Sequence, residues 1–318
     1  MTFRTLGRTG IKISEVSLGS WLTFGNAVEP AATRAIVHRA LEVGVNSFDT
    51  ADFYAHGAGE STLGDALADV PRHLYVLASK VFWPTGPGPN DRGLSRKHIH
   101  ESVNHSLRRL RTEYLDVLYC HRFDPEVPLE ETVTAMEDLI SRGKILYWGV
   151  SGWTGGEIRS ACKAASRYRP AVNQPPYNVF DRHIESDILA TCAAEGLGVI
   201  GWSPLAQGVL TAKYVTGVPA GSRAADPPKQ RLMDAFGDAR CAGVVSTLAR
   251  LAADAGLTPA QLAIGWCLRR PEVTSVVVGA TSVAQIEENA AFAPLSADVL
   301  EAIEAVLVDA PRFVSDAR

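Results

Sequence analysis

The residues that could do chemistry are an acid, a phenol, an ammonium and an imidazole. Asp49 closes the run NSFD, Tyr54 follows five residues later in TADFY, Lys80 ends LASK and His121 ends VLYCH. A tyrosine with its ordinary pKa of about 10 exchanges its proton poorly near neutral pH. A lysine beside it favours the phenolate, and a carboxylate beside the lysine offsets the cost of burying the ammonium. So arranged, Tyr54 could protonate a carbonyl oxygen while a hydride reaches the carbon, with His121 hydrogen-bonding the same oxygen. Each residue alone has an ordinary structural use: Asp49 as a turn cap, Lys80 as a solvated strand end, His121 as a satisfied rim histidine, Tyr54 as packing. Their common position at strand ends is what favours chemistry. Cys120 neighbours His121, but adjacent strand residues face opposite ways, so it reads as packing rather than as a nucleophile.

Those four positions need elements that end side by side. After an opening hairpin (FRTL, turn GRTG, IKIS), short β-rich apolar runs alternate with amphipathic helical patterns, as parallel strands joined by crossover helices do. Strands are expected at 16–18, 45–48, 75–78, 117–120, 145–150, 171–173, 199–202 and 275–278. Helices are expected at 33–42, 61–68, 97–110, 129–141, 156–166, 184–195, 259–268 and 283–289. Eight alternating units without a dividing linker predict one domain over 1–318, an α/β (β/α)8 TIM barrel with an N-terminal β-hairpin. Two extra helices are expected at 241–255 and 297–307. The competing doubly wound sheet would be announced by G-x-G-x-x-G after its first strand, and neither GAG at 57–59 nor GPG at 86–88 completes it. Long loops at 82–95 and 205–238 follow strand ends and read as binding loops or lids.

Composition narrows the function further. With 318 residues, 46% hydrophobic and 21% charged, the chain can bury a large core. A net charge of -4 gives no basic face for nucleic acid or anionic lipid. The N-terminal MTFRTLGRTG lacks the apolar run of a signal peptide, and no stretch has the ~18 apolar residues of a membrane span, so the expected location is cytoplasmic without membrane insertion. Five scattered cysteines without C-x-x-C fit reduced thiols, and no metal site is expected.

The runs FDTADFYAHGAGESTLG, LASK, YCHRFDPEVPLEETVTAMEDLISRGKILYWGVS, QPPYN, WSPLAQGVLTAKY and VVVGATSVAQIEEN resemble the aldo-keto reductase superfamily over nearly the whole chain. FWPTGPGPNDRGLSRKHI and LYWGVSGWT resemble most the branch of voltage-gated potassium channel beta subunits and related bacterial reductases. The resemblance implies NADPH (NADP+) bound across the C-terminal rim, a small-molecule carbonyl substrate, and Asp49, Tyr54, Lys80 and His121 as the catalytic tetrad. It implies cofactor contacts from Ser20, Trp21, Asp49, Ser151 and Gln174, with Trp202 stacking on the nicotinamide. Ser203, Pro204, Leu205, Gln207 and Gly208 would wrap the pyrophosphate, with charge from Lys213 and Arg223. Gly279, Thr281, Gln285, Glu288 and Asn289 would hold the adenosine end, where GATSVAQIEEN opens a helix whose amides, with Thr281 or Ser282, suit a 2′-phosphate.

Two departures stand out. Many superfamily members carry a basic residue where Gln285 stands, and the channel-like branch has an aromatic where Gly221 stands. Some channel beta subunits have asparagine at the position matched by His121, whose retention here resembles the enzymes. Trp21, Tyr54, Trp83 and His121 are expected to form the substrate pocket, helped by Phe24, Phe82 and Trp153, suiting aromatic or medium aliphatic carbonyls. The other reading implied by that branch is a cofactor-occupied, redox-sensing regulatory subunit with slow turnover, and a homotetramer follows from the branch alone. A metal-dependent barrel hydrolase is a weaker reading, because the strand ends lack a cluster of His and carboxylate ligands.

Overall fold

The computed structural model describes residues 1–226, 233 and 236–314. Strands β1 (Phe3–Thr5) and β2 (Lys12–Ser14) form the antiparallel hairpin, with Phe3 opposite Ser14. Eight parallel strands then close into a barrel: β3 (Val16–Gly19), β4 (Ser47–Asp49), β5 (Val76–Val81), β6 (Leu115–Cys120), β7 (Ile145–Val150), β8 (Val172–Asn173), β9 (Gly198–Trp202) and β10 (Val273–Val278). Closure comes from β10, whose Val276–Val278 pair with Val16–Leu18 of β3 while its other edge pairs with β9. The (β/α)8 TIM barrel expected from the sequence is the observed architecture.

Helices α1 (Pro30–Glu42), α2 (Ala58–Leu67), α3 (Arg96–Leu110), α4 (Leu129–Ser141), α5 (Gly155–Ala164) and α6 (Ile188–Glu195) follow successive strands. After β9 come α7 (Ala239–Asp254) and α8 (Pro259–Leu268), and after β10 come α9 (Val283–Ala290) and α10 (Ala297–Val306). The two extra helices, α7 and α10, pack on each other. Local chemistry sets several starts: Ser95 caps α3 through His98 N–H, and Thr154/Glu157 and Thr258/Gln261 form capping boxes on α5 and α8.

The helix expected at 184–195 is broken. His183–Glu185 form a 3₁₀ turn, Asp187 leaves helical geometry (φ -144°), and α6 begins at Ile188. Glu185 accepts from Tyr177 Oη (2.7 Å), Arg182 and Arg269, and this network holds the first turn away from the helix axis.

Period-two alternation decides what reaches the rim. On β5 and β6, Val76, Ala78, Val117 and Tyr119 share the barrel interior with Val172, Ile200 and the hairpin's Leu6 and Ile13, so the hairpin plugs the floor. The same inward register carries on to Lys80 and His121. Phe48 and Cys120 fall on the opposite face, among residues packed between barrel and helices. Cys120 is thus packing, as the alternation predicts.

The expected loop at 82–95 carries no helix or strand. The loop expected at 205–238 contains 3₁₀ turns at Ala206–Thr211 and Arg223–Ala225, and its residues 227–232, 234 and 235 lie outside the described residues. Among the described residues, no helix is long and apolar enough to cross a membrane.

Candidate active site

Asp49, Lys80, Tyr54 and His121 come together on the C-terminal rim at the ends of β4, β5 and β6. Parallel pairing puts Asp49 beside Ala78 and Lys80 beside Tyr119, so the three strands end in step. Lys80 is 1% exposed, and its ammonium donates to Asp49 Oδ1 and, at 2.7 Å, to the Thr50 carbonyl. The second Asp49 oxygen accepts from Gln174 Nε2 at 2.8 Å. A buried ammonium is tolerated only with such compensation.

Tyr54 opens a 3₁₀ turn, Tyr54–Gly57, in which Ala55 and His56 adopt left-handed backbone (φ 50° and 53°). Non-glycine residues occupy that region at a cost, so the turn is held by its surroundings. One anchor is the close approach of α2 to α3, where a Cβ on Gly64 would lie 2.7 Å from the Arg109 carbonyl oxygen. The turn puts the Tyr54 ring 4.9 Å from Lys80 Nζ and 5.8 Å from the His121 ring.

Burial is the largest influence on Tyr54 and pushes its hydroxyl above the usual tyrosine range. Lys80 pulls the other way and does not prevail. The side chain keeps some solvent contact, which tempers the shift without reversing it. Contrary to the expectation from the sequence, Lys80 does not bring this phenol toward neutrality, and Tyr54 holds its proton. For Lys80, burial lowers the pKa, but Asp49 and Tyr54 together outweigh it and leave the ammonium firmly protonated. His121 is buried, and desolvation, then the positive charges of Lys80 and Arg122, hold it well below the usual histidine range. It is a neutral imidazole at pH 7, with Nδ1 buried and without a protein partner.

An aromatic wall stands over this constellation. Phe53 lies 5.4 Å from the His121 ring and 5.9 Å from Trp83, which is itself 6.4 Å from His121. Phe53 and Arg122 were not singled out in the sequence. Arg122 Nη1 donates to the His121 carbonyl (2.5 Å), reaches Ser151 Oγ at 3.5 Å, and its guanidinium lies 5.7 Å from the Trp83 ring. Their signal was adjacency, a cation directly after His121 and an aromatic directly before Tyr54. Phe24 and Trp153 are placed differently from expectation. Both are at most 1% exposed, and Trp153 packs edge-on against Phe123 at 5.0 Å, so they belong to the core. Trp21, Phe82 and Trp83 remain partly exposed.

The remaining expected contacts fall on the same rim in three groups. Ser151 donates to the Gln174 carbonyl (2.8 Å), and Ser20, buried, donates to Thr50 Oγ1 (2.8 Å), which places both beside Asp49. Trp202 ends β9 partly exposed. Ser203, Ala206, Gln207 and Gly208 then take left-handed backbone (φ 56°, 45°, 60° and 93°) around Pro204 and Leu205. Gln207 Nε2 donates to Ser203 Oγ (2.8 Å), Arg223 Nη1 donates to Gln207 Oε1, and the Arg223 guanidinium lies 5.8 Å from the Trp21 ring. Lys213 is exposed and packs near Gly208. Beyond β10, Gly279, Thr281, Ser282 and Gln285 are exposed, Glu288 is half-buried and Asn289 is buried. Gln285 Oε1 accepts from Thr281 N (2.8 Å) and Oγ1 (3.2 Å).

These residues fit a dinucleotide. Arg223 bonds to the neutral Gln207 and lies over the Trp21 ring, burial lowers its pKa, and a phosphate would supply it with a countercharge. The run of left-handed residues after β9 is the backbone form that turns amides toward an anion. Among the described residues no group of three or more His, Cys, Asp or Glu could hold a metal ion.

A closed (β/α)8 barrel that gathers an acid, a phenol, an ammonium and an imidazole on its C-terminal rim has the groups for acid–base chemistry. The chain belongs to the aldo/keto reductase family, whose model matches residues 15–308. It is 42% identical to a protein of Oryza sativa subsp. japonica and 43% identical to one of Arabidopsis thaliana, in each case over 98% of both chains. Both are named as probable voltage-gated potassium channel subunits beta. A putative subunit beta of Schizosaccharomyces pombe is 40% identical over 96% of this chain and 93% of its own length.

Proposed function

We propose that the chain is an NADPH-dependent carbonyl reductase in which Tyr54 is the general acid. The observation that carries this reading is the buried Lys80–Asp49 pair set 4.9 Å from the Tyr54 ring, beside a neutral His121. Bound NADPH supplies the hydride. The carbonyl oxygen of the substrate sits between Tyr54 and His121, where the phenol donates its proton as negative charge develops on that oxygen. His121, uncharged, donates a hydrogen bond from Nε2 and fixes the direction of the carbonyl. Lys80 acts after the proton has left: its ammonium stabilises the phenolate, and Asp49 keeps that ammonium in place. Ser151 and Gln174 would hold the nicotinamide carboxamide, and Trp202 would offer an aromatic face to the ring. Phe53 and Trp83 exclude water and favour aromatic or aliphatic carbonyl compounds over sugar phosphates.

The names of the plant and yeast relatives support a second reading, a cofactor-holding regulatory subunit of a membrane channel, with slow chemistry and assembly into homo-oligomers. NADPH oxidation by the purified protein with an aromatic aldehyde separates the two. Saturable turnover supports the reductase, whereas tight cofactor retention with negligible turnover supports the regulatory subunit. On either reading the expected location is cytoplasmic.

A further inference from the structure

Behind the turn that carries Tyr54 lies a second set of ionisable groups that takes no part in the chemistry above. Asp52, between Asp49 and Tyr54, is 2% exposed, and its N–H donates to the Lys80 carbonyl at 3.2 Å. Asp52 Oδ2 accepts from Ser102 Oγ of α3 at 2.7 Å, while Oδ1 is buried without a protein partner. Glu60 of α2 is fully buried beside it, bound to Ser79 Oγ of β5 (2.6 Å) and Arg109 Nε of α3 (2.6 Å). Arg109 also packs on the turn itself, since a Cβ on Gly57 would lie 2.9 Å from its Cδ.

The charges facing Asp52 are thus Glu60 from α2 and Arg109 from α3. On the same buried face of α3, one turn before Ser102, stands His98, which burial keeps neutral. From β5 come Ser79 and the Lys80 carbonyl. Two buried carboxyls share the one partly exposed guanidinium of Arg109, and both Glu60 oxygens are taken. A pocket with that balance retains one proton, and Asp52, whose Oδ1 is buried without a protein partner, is where it rests. We propose that Asp52 is a positioning residue for Tyr54: while neutral it lets the strained 54–57 turn pack on α2 and α3 beside the Glu60 carboxyl, and on losing its proton the repulsion of Glu60 and the cost of a buried charge loosen that turn.

Burial raises Asp52 to about 7, with Glu60 adding to the rise and Ser102 opposing it. The groups of the catalytic rim titrate well away from this value, His121 below it and Tyr54 and Lys80 above it. A transition near neutral pH that is present in the wild type and absent in Asp52→Asn therefore belongs to Asp52, and not to His56 of the same turn. The proton is held by the folded chain and released by the unfolded one, so its stabilising effect is full below about pH 4 and is lost as pH rises to about 7.

The test compares the wild type with Asp52→Asn, uncharged at every pH, and Ser102→Ala, which removes the hydrogen bond that favours the anion. Two readouts are followed from pH 5 to 9: kcat with an aromatic aldehyde, resting on the reductase reading, and Trp83 emission, obtained by subtracting Trp83→Phe. Trp83 faces Phe53 in the same turn, so its emission follows the turn whether or not turnover occurs. The expected result is a wild-type emission change with a midpoint near pH 7 and a parallel fall in kcat of about fivefold or more. Asp52→Asn shows neither, and Ser102→Ala moves both to higher pH. Superimposable emission curves for wild type and Asp52→Asn would overturn the proposal, as would an emission difference with no difference in kcat. Absence of turnover in every protein would count against the reductase reading, and the emission curves would still decide the role of Asp52.

Discussion

The two halves of the rim are built on opposite electrostatic plans. At the ends of β4 to β6, Lys80 is 1% exposed and already paired with Asp49, whose other oxygen is held by Gln174. After β9, the cations Arg223 and Lys213 lie against neutral groups, Gln207 and the Trp21 and Tyr214 rings. The first half is complete in itself, and its geometry is part of folding. The second has charge in hand for an anion that arrives later. Substitutions should therefore separate, with those around Lys80 felt in stability and chemistry and those around Arg223 felt in cofactor affinity.

The largest effect is expected from Lys80→Met. It strands the Asp49 carboxylate in a buried site, and removing one member of such a pair costs about 3–5 kcal/mol. Denaturant unfolding measures this, and adding Asp49→Asn should restore part of the loss while activity stays absent. Equal stability of wild type and Lys80→Met would break the contrast at once. A second effect belongs to the same half. Because His121 is buried uncharged, the unfolded chain binds a proton that the folded one refuses, so stability is lost as pH falls below the ordinary histidine value of about 6.5. Thermal midpoints of wild type and His121→Asn between pH 5 and 7 should diverge on the acid side.

On the other half, Arg223→Ala should weaken NADPH binding by about tenfold at low salt and less at high salt, with little change in unfolding free energy. Lys213→Ala, at a more exposed cation, should do the same more weakly. The smallest effect is expected from Gln285→Lys, a few-fold gain in NADPH affinity with NADH unchanged, because it adds a cation where Thr281 and Gln285 now bond to each other. Fluorescence titration checks all three.

Much of this contrast is legible in the sequence because strand ends are. Runs such as VLASK and VLYCH alternate cleanly, and the alternation that sends Ala78 and Tyr119 inward also sends Lys80 and His121 to the rim. What the sequence does not reveal depends on contacts between distant segments. Phe24 and Trp153 are aromatic residues in loops like Trp21 and Trp83, and only packing against Phe123 and the core separates the two kinds. The break before Ile188 depends on Arg269, more than eighty positions away. The direction of the Tyr54 shift is hidden from the sequence for a similar reason. Proximity to a lysine can be inferred from strand order, but the larger burial effect requires the whole wall of the site.

The most direct test of the account is NADPH oxidation with an aromatic aldehyde by wild type and Tyr54→Phe, with cofactor affinity measured on both by tryptophan fluorescence. The account predicts wild-type turnover that falls by about 100- to 10,000-fold in Tyr54→Phe with unchanged cofactor affinity, since only the proton donor is removed. Turnover in Tyr54→Phe close to that of the wild type would contradict it.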